Sequence, residues 1–349
     1  MNTKMVRYIL CRMLGVEAAL LLVPVLVAVI YQEKCGIVFL IPIGILCLLF
    51  CVAGRKRPEH GQIYGKEGMV IVALAWILWS LFGAMPFTLS GYIPSYVDAF
   101  FETVSGFTTT GSSIIPDVEV LPHCLLFWRS FTHWIGGMGV LVFVLVVTSL
   151  DRKNSMYLMR AEVPGPEKDK LVPKTKTTAR ILYGIYFGLT LILVILLMLG
   201  GMNLFDSLIH AFGSAGTGGF SNYADSVGHF DSAYIDYVIS IFMILFGINF
   251  NLYYFMLLGD FKAFWKNEEL RVYLGIIATA TILITLNTNQ MYGSIMKAFR
   301  YALFQVSTII TTTGYATTDF NLWPTFSQCI VVLLMIIGAC ASSTGGGIK

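Results

Sequence analysis

The sequence predicts an all-α, polytopic membrane protein built from repeated units in which two full-length helices flank a short re-entrant one. Hydrophobic residues make up 56% of its 349 positions and charged residues only 12%, with a mean hydropathy of +0.76, against about 45–50% and about 25% in an ordinary soluble domain. Apolar stretches of roughly bilayer length recur along the chain. Between them, three polar segments that end in glycine repeat at matched offsets.

A hydrocarbon core about 30 Å thick needs about 20 apolar residues per helix. Eight stretches meet that need, near 7–31, 35–54, 69–90, 123–150, 181–202, 234–258, 271–288 and 325–349. The first follows Lys4 and Arg7 like a signal peptide. It is too long for one, has no small-residue cleavage site and runs straight into the second stretch, so it is expected to stay as a helix.

Basic residues set the orientation. Arg55, Lys56 and Arg57 lie in one inter-helix segment, Arg152 through Lys176 in a second, and Lys262, Lys266 and Arg271 in a third. Loops 91–122 and 220–237 hold acidic residues and no Lys or Arg. The basic segments are therefore expected inside, with a cytoplasmic N-terminus, and Lys297 and Arg300 are the exceptions on an outer segment. This pattern also accounts for the net charge of +3, so no nucleic-acid partner is implied.

Several classes of chemistry are excluded. The seven cysteines are scattered through apolar segments without metal-type spacing. Histidines 60, 123, 133, 210 and 229 form no short-spaced set, and no nucleophile–base pair emerges. The expectation is no enzyme and no cofactor in this chain.

The internal repeat carries the functional reading. Asp98 leads to Thr108-Thr109-Thr110-Gly111, Asp206 to Thr217-Gly218-Gly219, and Tyr301 to Thr311-Thr312-Thr313-Gly314, each thirteen residues from anchor to glycine. Each segment is amphipathic, about four turns long if helical, and sits between two apolar helices, as a re-entrant pore helix would. Irregular backbone at membrane depth is tolerated only where it is buried in protein or lines a water-filled cavity. Extended Thr and Gly there can turn carbonyl oxygens toward an axis and replace the water shell of an alkali cation, with glycine supplying positive φ. The pore helix would aim its negative C-terminal end at the cavity, which favours cations over anions.

Other residues have two readings each. Glu102, with His210 and Gln305 at the equivalent positions, is expected to brace its pore helix by hydrogen bonds rather than bind the ion. Arg129 and His133 are one turn apart in an apolar helix, where ionisable groups are costly, and snorkelling, pairing and an ion-path role all remain open for Arg129. Asp98 and Asp206 are expected as helix caps, although acidic residues at an outer mouth would also concentrate cations. Asn222 could hold the filter backbone or simply favour its turn. Gly136 to Gly139 suits close helix packing.

These residues resemble the Trk/Ktr/HKT superfamily of potassium transporters, and specifically its bacterial Trk-type membrane subunit. The most specific marks are FFETVSGFTTTG (Phe100 to Gly111), WRSFTHWIGGMG (Trp128 to Gly139) and EVPG (Glu162 to Gly165), followed by GGFSN (Gly218 to Asn222), TTGYA (Thr312 to Ala316) and STGGGIK (Ser343 to Lys349). The resemblance covers essentially the whole chain. It implies four linked helix–pore-helix–helix units around a pseudo-fourfold pore, preceded by an N-terminal hairpin.

On that plan residues 1–54 are the hairpin, 66–150 the first unit, 151–180 a cytoplasmic loop, 181–262 the second unit and 268–349 an incomplete third, the fourth being absent, so a C-terminally truncated fragment is expected. The filter would comprise Thr109, Thr110 and Gly111, then Thr217, Gly218 and Gly219, then Thr312, Thr313 and Gly314, binding potassium as substrate, with Glu102 and Asn222 in support. Ser343, Thr344, Gly345, Gly346, Gly347 and Lys349 would belong to an intramembrane gate loop. A Walker-type phosphate loop is excluded there, because the Gly-Lys-Ser/Thr order and the preceding soluble strand are missing.

The implied activity is potassium uptake across the bacterial cytoplasmic membrane. The implied partners are membrane lipid, a second copy of the subunit and a cytoplasmic nucleotide-binding regulatory subunit. The alternatives are a truncated, non-conducting product with only scaffold or regulatory contacts, and a sodium-permeable or ion-coupled secondary transporter.

Overall fold

A computed structural model describes residues 2–56, 58, 64–139 and 175–348. Among them are helices, turns and loops, with no strand. They fall into two compact units divided between Tyr183 and Gly184.

In the first unit, α1 (Thr3–Leu20) and α2 (Leu22–Ile30) form one span. A second span, Lys34–Gly54, contains α3 (Leu40–Leu49), and α4 (Gly65–Leu89) is the third. The short α5 (Tyr96–Phe107) packs between α4 and α6 (His123–Gly137), and glycine permits both contacts. A Cβ on Gly136 would stand 1.9 Å from the Phe107 carbonyl oxygen, and one on Gly83 would stand 3.0 Å from Thr103. Trp128 also donates its indole N–H to the Gly83 carbonyl at 2.9 Å.

Helix α6 is capped from a distant loop. The Glu33 carboxylate accepts the amides of His123 at 2.7 Å and Cys124 at 3.0 Å, placing negative charge on a helix N-terminus. Burial pulls the Glu33 carboxyl upward, but these amides and the His123 ring hold it below its ordinary value.

Helix α7 (Thr175–Leu199) runs across the division. The second unit continues with α8 (Leu204–Gly216), α9 (Ala233–Phe246), α10 (Phe250–Leu257), α11 (Phe261–Lys266), α12 (Glu268–Tyr292), α13 (Ile295–Ile310) and α14 (Thr325–Ile337). Leu270, Ile277 and Ile284 of α12 share a core with Ala302, Val306 and Ile310 of α13 and with Val331 and Leu334 of α14. The small side chains of Ala280 and Ala302, both buried, suit the close helix approach that governs association in lipid.

Five described helices are long and apolar enough to cross a membrane, or six if one bent pair counts as a span. Two of the eight expected stretches are interrupted, the last of them within the glycine-rich end already expected to break its helix, while residues 140–150 of the 123–150 stretch lie outside the described residues. The stretch 234–258 is α9 and α10, bent by 91°. Gly247 ends α9 there, where a Cβ would stand 2.3 Å from the Tyr273 hydroxyl, and Asn249 caps α10. The stretch 325–349 is helical only to Ile337. Gly338 ends it at φ +77°, and a Cβ there would lie 2.4 Å from the Gly346 carbonyl oxygen.

Candidate functional site

Helices α5, α8 and α13 are the three repeated segments, 12, 13 and 16 residues long. They end in one and the same backbone turn. The amides of Thr110, Gly218 and Thr313 reach back five residues to the carbonyls of Ser105, Gly213 and Thr308, each at 2.9 Å. Those of Thr109, Thr217 and Thr312 reach back three, to Gly106, Ser214 and Ile309, at 3.0–3.2 Å. This pair of bonds is the Schellman motif, which consumes helix-end carbonyls and demands a left-handed residue.

That residue is ordinarily glycine, yet here it is threonine each time. Thr109, Thr217 and Thr312 have φ of +55°, +53° and +58°. Two residues on, Gly111, Gly219 and Gly314 are left-handed as well, at +75°, +77° and +85°. A β-branched residue at positive φ is a real outlier, costing of order 1–3 kcal/mol, and such strain gathers at functional sites. The glycines were legible in the sequence; the strained threonines were not, because β-branched residues argue against that conformation.

Hydroxyls reinforce two of the three turns. Thr108 donates to the Val104 carbonyl at 2.7 Å and lies 2.8 Å from the Thr110 hydroxyl. Thr311 donates to the Ser307 carbonyl at 2.6 Å and lies 2.8 Å from the Thr313 hydroxyl. The second turn has glycines at those flanks.

Behind each turn, the braces differ. Buried Glu102 accepts from the Ser113 hydroxyl and the Ile114 amide, both at 3.0 Å, and from Arg129 Nε at 2.6 Å. Arg129 is 4% exposed, so it is a paired, buried cation rather than a snorkelling one. His210 reaches Ser221, eleven residues on as Ser113 is from Glu102, at 3.1 Å, and its other ring nitrogen lies 2.8 Å from the Asp206 carbonyl. Gln305 is buried, and its side-chain oxygen has no hydrogen-bond partner among the described residues.

Asp98 and Asp206 are not the caps. They lie three residues inside their helices and donate their amides to the true caps, Ser95 and Asn203. The Asp206 carboxylate instead collects Asn203 Nδ2 at 2.8 Å, the Tyr223 hydroxyl at 3.0 Å and Asn222 Nδ2 at 2.8 Å. Asn222 thus ties the segment after Gly219 to α8 through a carboxylate rather than through filter backbone.

In the second unit the turns of α8 and α13 meet. A Cβ on Gly219 would stand 2.0 Å from the Thr313 carbonyl oxygen. The loop after Gly338 docks against both turns. The Thr217 hydroxyl donates to the Thr344 carbonyl at 2.9 Å, and the Gly346 amide donates to the Thr312 hydroxyl at 2.8 Å. A Cβ on Gly345 would meet the Thr311 carbonyl oxygen at 3.1 Å. Ser343 donates within the loop to the Cys340 carbonyl, Gly347 has φ +102°, and Lys349 lies outside the described residues.

The same loop fills the break between α9 and α10. Cys340 donates its amide to Gly247 O at 3.0 Å, Thr344 its hydroxyl to Phe246 O at 3.1 Å, and Phe250 its amide to Ser342 O at 3.1 Å. Backbone groups freed by the 91° bend are thus satisfied by the loop, as burial requires. Arg300, an exception to the basic-residue pattern, pairs with Asp236 at 2.6 Å and Asp231 at 3.5 Å. Among the described residues no group of His, Cys, Asp and Glu could hold a metal ion, and no disulfide joins the cysteines.

A family model described as "Cation transport protein" (TrkH) matches residues 39–349. The Trk system potassium uptake protein TrkH of Escherichia coli K12 is 36% identical over 338 residues, 94% of this chain and 69% of that protein. The Trk system potassium uptake protein TrkG of the same organism is 34% identical over 365 residues, covering the whole chain and 74% of the relative. In the crystal structure of the potassium transporter TrkH from Vibrio parahaemolyticus, a chain 31% identical superposes with a TM-score of 0.86, over all of this chain and 73% of that one. With its helical fold and apolar spans, this multi-pass membrane protein belongs to the TrkH family of cation transport proteins.

Proposed function

We propose that this chain takes up potassium across the bacterial cytoplasmic membrane, with its N-terminus on the cytoplasmic side. The observation that carries the reading is the thrice-repeated turn, in which a strained threonine precedes a left-handed glycine at the end of a re-entrant helix. Carbonyls of Thr109, Thr110 and Gly111, of Thr217, Gly218 and Gly219, and of Thr312, Thr313 and Gly314 would replace the hydration shell of the ion. Glu102 supports the first segment directly, and Asn222 supports the second through Asp206. That relatives are named Trk system potassium uptake proteins supports potassium as the ion in this reading.

The loop containing Ser343, Thr344, Gly345, Gly346 and Gly347, with Lys349 after it, is the gate in this reading. Its hydrogen bonds to Thr217 and Thr312 put it against the turns it would have to obstruct. The domain plan follows, with hairpin 1–54, units 66–150, 181–262 and 268–349, and a basic cytoplasmic segment 151–180, whose last six residues begin α7, suited to a nucleotide-binding regulatory subunit. A second copy of the chain and membrane lipid are further partners in this reading. No catalytic role is assigned.

The test is growth of an uptake-deficient bacterium on limiting potassium while it expresses the full-length gene product that contains this chain, with or without the Gly219→Arg substitution. Rescue by the unsubstituted form and not by the variant is the expected result. Equal growth of the two, or no rescue with the protein present in the membrane, overturns the reading.

A further inference from the structure

The residue after the third filter glycine differs in kind from its counterparts. Ser112 follows Gly111, Phe220 follows Gly219 and Tyr315 follows Gly314. Tyr315 is 1% exposed, and its hydroxyl reaches α8 and the segment after it, lying 3.1 Å from the His210 carbonyl and 3.3 Å from the Phe220 carbonyl. The Phe220 carbonyl belongs to the residue immediately after Gly219. One phenol therefore links the third segment to the second at the height of their glycines.

The surroundings are built to seat that phenol. Gly213 of α8 faces it, and a Cβ there would stand 2.1 Å from the Tyr315 oxygen. The His210 ring lies 5.6 Å away, fixed at both nitrogens by the Asp206 carbonyl and the Ser221 hydroxyl. On the other side of the seam, the bare Gly219 lets the Thr313 carbonyl approach closely. A seam fixed both by contact and by hydrogen bonding has little freedom to contract or widen.

We infer that Tyr315 is a selectivity-determining positioning residue, whose hydroxyl sets the spacing between the second and third filter segments and so tunes the discrimination between potassium and the smaller sodium ion. Carbonyls held apart at a fixed spacing suit the larger dehydrated ion, whereas carbonyls free to relax inward accommodate the smaller one as well. The inference rests on the filter reading above. It concerns Tyr315 alone, which touches filter backbone and not the ion.

The experiment compares the wild-type chain with Tyr315→Phe and Gly213→Ala, the second of which displaces the phenol without removing it. Purified protein in liposomes is assayed for uptake of rubidium, a potassium surrogate, and of sodium. Thermal stabilisation by potassium over sodium is measured in detergent. Both variants are expected to lose potassium preference by about tenfold, on the scale of one hydrogen bond of discrimination. A purely structural role would instead lower the unfolding temperature without changing the ratio. If both variants keep the wild-type ratio in transport and in ion-dependent stabilisation, the inference is overturned. If the wild-type chain shows no rubidium uptake, the filter reading fails, and the stabilisation ratio still decides whether Tyr315 governs ion preference.

Discussion

Behind the turn at the end of α5 stands an ion pair, Glu102 with Arg129, both buried and 2.6 Å apart. Behind the turn at the end of α8 stands the His210 ring with a serine hydroxyl, while the nearby carboxylate, Asp206, collects only the neutral donors of Asn203, Asn222 and Tyr223. Yet the two backbones agree to within a few degrees, with φ +55° and +53° at the threonine and +75° and +77° at the glycine. The chemistry of support has diverged while the turn has not. What the two turns share is the backbone geometry, and two different sets of side chains that satisfy the buried polar groups hold it.

That comparison breaks first at the ion pair. Arg129→Met strands a buried carboxylate and should cost about 3–5 kcal/mol, visible as a large drop in the unfolding temperature, whereas Arg129→Met combined with Glu102→Gln should recover part of it. A double variant no more stable than the single one would show that the pair does not act as a unit. The next largest effect belongs to Gly219→Ala. Its methyl group collides with the Thr313 carbonyl, so a loss of about 1–3 kcal/mol should accompany loss of transport, while Gly314→Ala, with open space around it, should suffer mainly from its positive φ.

Ser221→Ala removes the hydroxyl's neutral hydrogen bonds to the His210 ring and from the Tyr223 amide and should cost about 1–3 kcal/mol. A loss as large as that of Arg129→Met would mean that the second turn depends on its brace as heavily as the first. Thr109→Asn tests the turn itself. Asparagine tolerates the left-handed region better than a β-branched residue, so this variant should match or exceed wild-type stability by a few tenths of a kcal/mol, and clear destabilisation would show that the strain is offset by contacts of the threonine.

The Glu33 cap of the first unit also predicts a pH response. Glu33 is held below its ordinary value, so its contribution is present above the unfolded carboxylate pKa of about 4.3 and is lost as pH falls through the lower folded value. Unfolding temperature should therefore fall on acidification below that range, and Glu33→Gln should flatten the response. An unchanged pH profile in the variant would remove Glu33 from the account.

Much of the architecture was legible in the sequence because it rests on local quantities. Hydrophobic length marked the spans, and thirteen-residue offsets marked the re-entrant helices and their glycines. Glu102 was placed as a brace from its position on the segment, but its partners Ser113, Ile114 and Arg129 depend on packing. Asp206 shows where the local rule stops. Its position suggests a cap, but Asn203 occupies that role three residues earlier and leaves the carboxylate for Asn222 and Tyr223.

The apolar run 234–258 shows the same limit from the other side. Composition alone reads as one continuous helix, because hydropathy sums over residues and is blind to a bend at Gly247. By itself, then, the sequence determined the membrane fold, the repeat and the glycines of the turns, since burial in lipid and positive φ are demands on single residues or short windows. Only the tertiary structure decided that threonines take the left-handed position, that the loop after Gly338 seals the break between α9 and α10, and that Tyr315 reaches the second segment. Each of these conformations is unfavourable alone and persists only because contacts from residues distant in sequence satisfy the groups it leaves exposed.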